Sequence, residues 1–210
     1  MTRREAGVLL AAGLPGLLLA AVGTTHPGSL TAATGEHWRA VHVVALPLFP
    51  LLPLGPWLVA RSVDRRLGWL VGLLGYVFAT SYTALDVLAG IGAGALQTLT
   101  ATDGIVVLFG EGDALARVGT LAYLAACVLA VAGVLAGARR LTVPRGVLAA
   151  LGTVLAVGAA WSLRTSHIFP PRGVLTMLAA SVGWVLLAVV RQRRTPVSSP
   201  HPVSSPGPVT

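Results

Sequence analysis

Residues 67–92, LGWLVGLLGYVFATSYTALDVLAGIG, contain no basic residue and one carboxylate, Asp86. At ~1.5 Å per residue the run is long enough to cross a hydrocarbon core of ~30 Å, so it reads as a transmembrane helix. A carboxylate in such a helix costs about 2.5–3.5 kcal/mol on insertion scales and normally faces the bundle interior. At ~100° per residue, Gly72, Gly75, Ala79, Tyr82, Thr83 and Gly90 share the Asp86 face, a stripe of small and hydroxylated side chains. Tyr82, one turn earlier, is placed to hydrogen-bond the carboxylate, and Arg117 or Arg164 to pair with it.

Working outward, residues 7–23, 40–60, 115–136, 147–163 and 174–190 are similar apolar runs. The chain is 55% hydrophobic and 10% charged. With a mean hydropathy of +0.81, this composition excludes an ordinary soluble globular domain. We therefore expect an all-α integral membrane protein, a six-transmembrane-helix bundle occupying residues 1–194. Residues 2–5, the first apolar run and Ala21-Val22-Gly23 also fit a signal peptide with a small-residue cleavage site. The length of the run and the even spacing of the other five favour a retained helix; cleavage would leave five spans and an external N-terminus near His26.

Charge orients the bundle. All fifteen basic residues are Arg, and eleven of them (Arg3, Arg4, Arg61, Arg65, Arg66, Arg139, Arg140, Arg145, Arg191, Arg193 and Arg194) fall at one set of span ends. Basic connections are retained on the cytoplasmic side, so both termini are expected in the cytoplasm of a bacterial cell, with the protein in its inner (plasma) membrane. The net charge of +8 then reflects contact with the lipid bilayer and its anionic headgroups, and no nucleic acid partner is needed. The small-xxx-small pairs Gly68/Gly72 and Gly133/Gly137 permit close helix approach, within the chain or in a homo-oligomer. Residues 195–210, with the repeated Pro-Val-Ser-Ser-Pro, are expected to form a disordered cytoplasmic tail. Cys127 is the single cysteine, so no intrachain disulfide exists.

The second span is unusual because Pro47, Pro50, Pro53 and Pro56 recur every third residue. Each interior Pro removes a donor and clashes with the preceding turn, at about 3 kcal/mol, so a Pro-interrupted second helix is expected. Interrupted helices line ion and substrate sites in many transporters; a static kink is the other reading.

Most of the chemistry lies at the opposite span ends. His26, Glu36 and His37 occupy the first external connection, His42 begins the second span, and Asp103, Glu111 and Asp113 follow the third in a connection read as a loop over 93–114. Arg164 and His167 end the fifth span. His37 and His42 are five residues apart, ~140° on a helix, so they do not form the i, i+4 pair of a helical zinc motif; Arg39 shares the His42 face. A metal would need ligands from several segments, for instance His42, Asp86 and His167, and His42 with His167 could also bridge a haem.

Two functions follow. One is a small-solute or ion binding, transport or sensing protein whose external polar pocket is formed by Asp86, His42, Tyr82, Arg39, Arg117 and Arg164. The other is a metal- or haem-dependent membrane enzyme or redox protein using His42, Asp86 and His167. A membrane scaffold with only structural ion pairs is the third reading. No nucleophile elbow, phosphate-binding Gly loop or acidic metal repeat is present, and the binding, transport or sensing reading is favoured because it needs fewer coincidences.

Overall fold

The computed structural model describes residues 1–137 and 141–192. Arg139, Arg140, Arg193, Arg194 and the 195–210 tail with His201 lie outside the described residues. The described chain is helical, without strands, and six of its helical stretches are long and apolar enough to cross a membrane: Arg3–Gly23, Gly35–Val63, Arg65–Thr98, Thr102–Ala136, Val143–Ser166 and Arg172–Arg191.

These stretches comprise α1 (Arg3–Gly23), α2 (Gly35–Ala45), α3 (Leu54–Val63), α4 (Arg65–Leu85), α5 (Ala93–Thr98), α6 (Ile105–Ala136), α7 (Val143–Ser166) and α8 (Arg172–Arg191). Local chemistry sets several of their ends. Thr2 and Glu5 form a reciprocal capping box, Thr2 N–H donating to Glu5 Oε2 at 2.7 Å and Glu5 N–H to Thr2 Oγ1 at 3.2 Å. Asp64 caps α4 by accepting from the N–H groups of Arg66 and Leu67 at 2.8 and 2.9 Å.

Between α2 and α3 the chain tightens into a 3-10 turn, Phe49–Leu51, and bonds there run to the third residue back, from Leu48 N–H to Ala45 O and from Leu51 N–H to Leu48 O. Between α4 and α5 the backbone widens into a π-helix, Asp86–Gly92. The fourth span starts well before residue 115. Residues 93–114, read from sequence as a loop, fold mostly as α5, a 3-10 turn at Thr102–Gly104 and the first turns of α6. That stretch has no proline, and Ile105-Val-Val-Leu-Phe109 continues the apolar surface of α6, so its carboxylates lower hydropathy without stopping the helix.

The helices pack α4 on α6, α7 on α8 and α8 on α1. Small residues set the approach: Ser181 Oγ donates to the Gly13 carbonyl at 2.7 Å, and a β-carbon at Gly133 would sit 2.6 Å from Leu67 Cδ2. Gly68 and Gly133 are thus used inside the chain. Phe49, Phe78, Tyr82, Tyr123 and Trp184 are fully buried and fill the middle of the bundle. Above that layer, at the end holding the connections after the first, third and fifth spans, lies the polar cluster.

Candidate metal centre

Three imidazoles converge there from three parts of the chain: His26 after α1, His42 on α2 and His167 just past α7. One ring nitrogen from each lies within 4.8 Å of the others. His26 and His42 are each only 3% exposed, and Nε2 of both His26 and His167 is buried without a hydrogen-bond partner.

The hydrogen bonds decide which nitrogen faces the centre. His42 Nδ1 lies 2.7 Å from the Trp38 carbonyl and His26 Nδ1 lies 2.8 Å from the Pro27 carbonyl. A carbonyl only accepts, so both Nδ1 atoms carry hydrogen. Burial holds His26 below the usual histidine range and drives His167 well below it, which favours the neutral form of both rings. In neutral His26 the lone pair is therefore on Nε2. His167 Nδ1 lies 2.7 Å from Tyr82 Oη; with Nδ1–H donating to that oxygen, the lone pair is on Nε2 here as well. Imidazoles whose outer nitrogens are tied to carbonyls or hydroxyls are the usual metal-ligating arrangement.

Asp86 stands beside this trio, not within it. Its side chain is fully buried, neither carboxylate oxygen has a hydrogen-bond partner among the described residues, and Oδ1 is 3.9 Å from His42 Nε2. That distance is beyond hydrogen-bond reach. A buried carboxyl without partners is either neutralised by a nearby positive charge or held protonated.

Several backbone features bring the segments together. A β-carbon at Gly90, in the π-helix, would overlap the His42 ring, so only glycine lets α2 lie this close to the Asp86 segment. A β-carbon at Gly23 would come within 2.7 Å of the Ile168 carbonyl, and its absence lets α1 end against the His167 turn. His167 itself has φ 44°, a sparsely populated backbone conformation for a non-glycine residue, of the kind that persists where the surroundings over-determine it. Trp38 Nε1–H donates to the Ala89 carbonyl at 3.1 Å, fastening α2 to the π-helix. Single-turn π-helical insertions occur frequently at functional sites.

A cavity of about 180 Å³ opens beside the cluster, lined by His42, His167, Trp38, Phe109, Asp113 and Arg164 among others. Rings pack around the imidazoles: His26 lies 4.3 Å from Phe169 and 4.8 Å from Trp38, and Phe49 stacks 5.2 Å below His167.

Of the candidates read from sequence, His42, Asp86, Tyr82 and His167 come together here, and Tyr82 bonds His167, not Asp86. Arg164 lines the cavity but is exposed and stacks over Trp161 at 4.3 Å. Arg39 and Arg117 are exposed, and neither pairs with Asp86. His37 Nε2 contacts the Thr25 carbonyl at 2.6 Å, outside the cluster. Sequence spacing does not single out His26 as a member of this cluster, because it lies in a connection without helical period. His42 and His167 are stacked face to face, 5.6 Å apart with 13° between planes, and do not oppose each other across a porphyrin. Cys127 is buried elsewhere in the core and supplies no thiolate.

Compared with protein families, curated proteins and solved structures, the chain matches none.

Proposed function

We propose that this is a metal-dependent membrane protein that holds one transition-metal ion through His26, His42 and His167, with Asp86 as the compensating negative charge. The observation that carries the reading is the convergence of two buried imidazoles, His26 and His42, with the half-buried His167, beside a buried carboxyl; among the described residues Nε2 of His26, Nε2 of His167 and both Asp86 oxygens have no hydrogen-bond partner. An imidazole set without thiolate suits zinc, copper, iron or nickel. Three protein ligands leave a coordination position open, as catalytic sites do, and the cavity beside His42 and His167 leads to it. Such an ion supplies Lewis acidity or an electron; the protein fixes the ligands, excludes bulk water with Trp38, Phe109 and Phe169, and admits only a small ligand.

The ion is resident, not cargo, on this reading. Beneath the site Phe49, Phe78, Tyr123 and Trp184 are fully buried, and none of them lines the cavity. This weakens the solute-transport alternative that the proline run suggested. We attribute the 3-10 turn at Phe49–Leu51 to Pro47, Pro50 and Pro53, and assign it a static role: it seats Phe49 under His167. The stacked His pair and the size of the cavity favour a bare ion over haem. The arginine distribution supports a bacterial plasma-membrane protein with its termini in the cytoplasm and the metal at the extracytoplasmic face.

The test is metal content per chain of the full-length protein purified in detergent without chelator, alongside His26→Ala, His42→Ala and His167→Ala. About one iron, copper, zinc or nickel per wild-type chain, lost in all three variants, is the expected result. A wild-type protein that neither contains nor takes up any of these ions at micromolar concentration overturns the proposal.

A further inference from the structure

At the opposite end of the bundle, a second feature stands independently of the histidines. α3 and α4 meet at Asp64, and the cleft between them has two parts. The end part, about 310 Å³, is lined by Trp57, Arg61, Arg65, Gly68 and Trp69. It continues through Trp57 and Trp69 into an apolar groove of about 530 Å³ whose walls include Pro50, Pro53, Leu73, Tyr76 and Ala79.

Among the described residues the charges at the head of this groove have no carboxylate partner. Neither Arg61 nor Arg65 has a carboxylate within 4.0 Å among the described residues. Asp64, the acidic neighbour, uses Oδ1 to cap α4. Arg61 lies over the Trp57 ring at 5.2 Å, which orients its guanidinium at the mouth of the groove. Trp69, at 70% exposure, forms the other wall. From Arg65 to Ala79 the groove follows α4 for about 21 Å at ~1.5 Å per residue, which spans the ~15 Å half-thickness of a hydrocarbon core together with its headgroup layer.

An apolar channel one leaflet deep, capped by two unneutralised arginines and flanked by two interfacial tryptophans, matches one kind of molecule. We propose that the α3–α4 cleft binds an anionic phospholipid, its phosphate between Arg61 and Arg65 and one acyl chain along Pro50, Pro53, Tyr76 and Ala79. The groove selects for a chain, and the arginines select for net negative charge over a zwitterionic headgroup.

The experiment is native mass spectrometry of the full-length protein titrated with phosphatidylglycerol, phosphatidylcholine or inorganic phosphate. The variants are Arg61→Gln/Arg65→Gln, Ala79→Phe to block the groove, and Arg3→Gln/Arg4→Gln, which removes the same charge elsewhere at this end. Wild type should retain one phosphatidylglycerol in preference to phosphatidylcholine. Arg61→Gln/Arg65→Gln should weaken that binding about thirty-fold, near the effect of two surface cations. Ala79→Phe should weaken both lipids, and the Arg3/Arg4 variant should match wild type. Equal retention of the two lipids, an equal loss in the Arg3/Arg4 variant, or competition by phosphate with no effect of Ala79→Phe would each overturn the proposal.

Discussion

Replacing His26 with Phe separates a metal centre from a merely structural histidine cluster. Phenylalanine keeps the ring contacts to Trp38 and Phe169, 4.8 and 4.3 Å away, but removes both nitrogens. A structural site with four ligands is worth about 10–16 kcal/mol, so one ligand is about 3 kcal/mol, and metal affinity should fall a hundred- to several-hundred-fold. The metal-free protein responds in the opposite direction. Buried Nε2 without a partner costs about 1–3 kcal/mol, whereas the lost bond to the Pro27 carbonyl is worth about 1 kcal/mol, so the apo variant should be as stable as wild type or slightly more so. The assays are calorimetric titration of the chelator-stripped protein with Zn²⁺ and thermal unfolding in detergent with and without the ion. Wild type with metal at a hundred times Kd should gain about 2.7 kcal/mol, and the variant should gain almost nothing at the same concentration. Unchanged Zn²⁺ affinity in His26→Phe would refute the ligand assignment. A large loss of apo stability would show that His26 serves the fold.

Gly90→Ala places a methyl group on the His42 ring; because metal–ligand distances tolerate only about 0.2 Å, affinity should fall at least tenfold with helix content by circular dichroism unchanged. Tyr82→Phe removes the hydroxyl that holds His167 Nδ1 and should weaken metal binding by about 10–100-fold, measured by the same titration. Asp86→Asn removes the counter-charge but keeps the shape: reduced metal affinity in a normally accumulating protein is expected, and failure to accumulate would assign Asp86 to the fold. For orientation, Thr31→Cys in a Cys127→Ala background should react with a membrane-impermeant maleimide on intact cells, and Arg65→Cys only after lysis.

The six spans were legible because an apolar run of span length has few other uses, and Asp86 stood out because a carboxylate there is costly. The start of α6 was not legible. Asp103, Glu111 and Asp113 look like loop residues by hydropathy, yet nothing among them breaks a helix, and the local hydrogen bonds win. The partners of Asp86 were misjudged for a different reason. Pairing it with Arg117 or Arg164 assumes that long cationic side chains turn inward, and both are instead exposed, Arg164 stacked over Trp161. Residue 26 lies in a connection with no helical period, so sequence spacing to residues 42 and 167 carried no geometric information.

The irregular backbone at the histidine end of the bundle lies close to the cluster. An ordinary α-helix through Asp86 and an ordinary turn at His167 would have satisfied the backbone at lower cost. Instead the chain holds a π-helix at Asp86–Gly92, a positive φ at His167 and glycine at Gly90, and all three lie within one side chain of the imidazoles. The positive φ of His167, a conformation that costs about 1–3 kcal/mol, persists only where surrounding packing over-determines it. Here that packing is the aromatic shell of Trp38, Phe49 and Phe169, which holds three imidazoles together beside Asp86 with Nε2 of His26 and of His167 and both Asp86 oxygens unmatched among the described residues. On the proposed reading, a bound cation would make ligands of the unmatched Nε2 atoms of His26 and His167 and take Asp86 as its counter-charge.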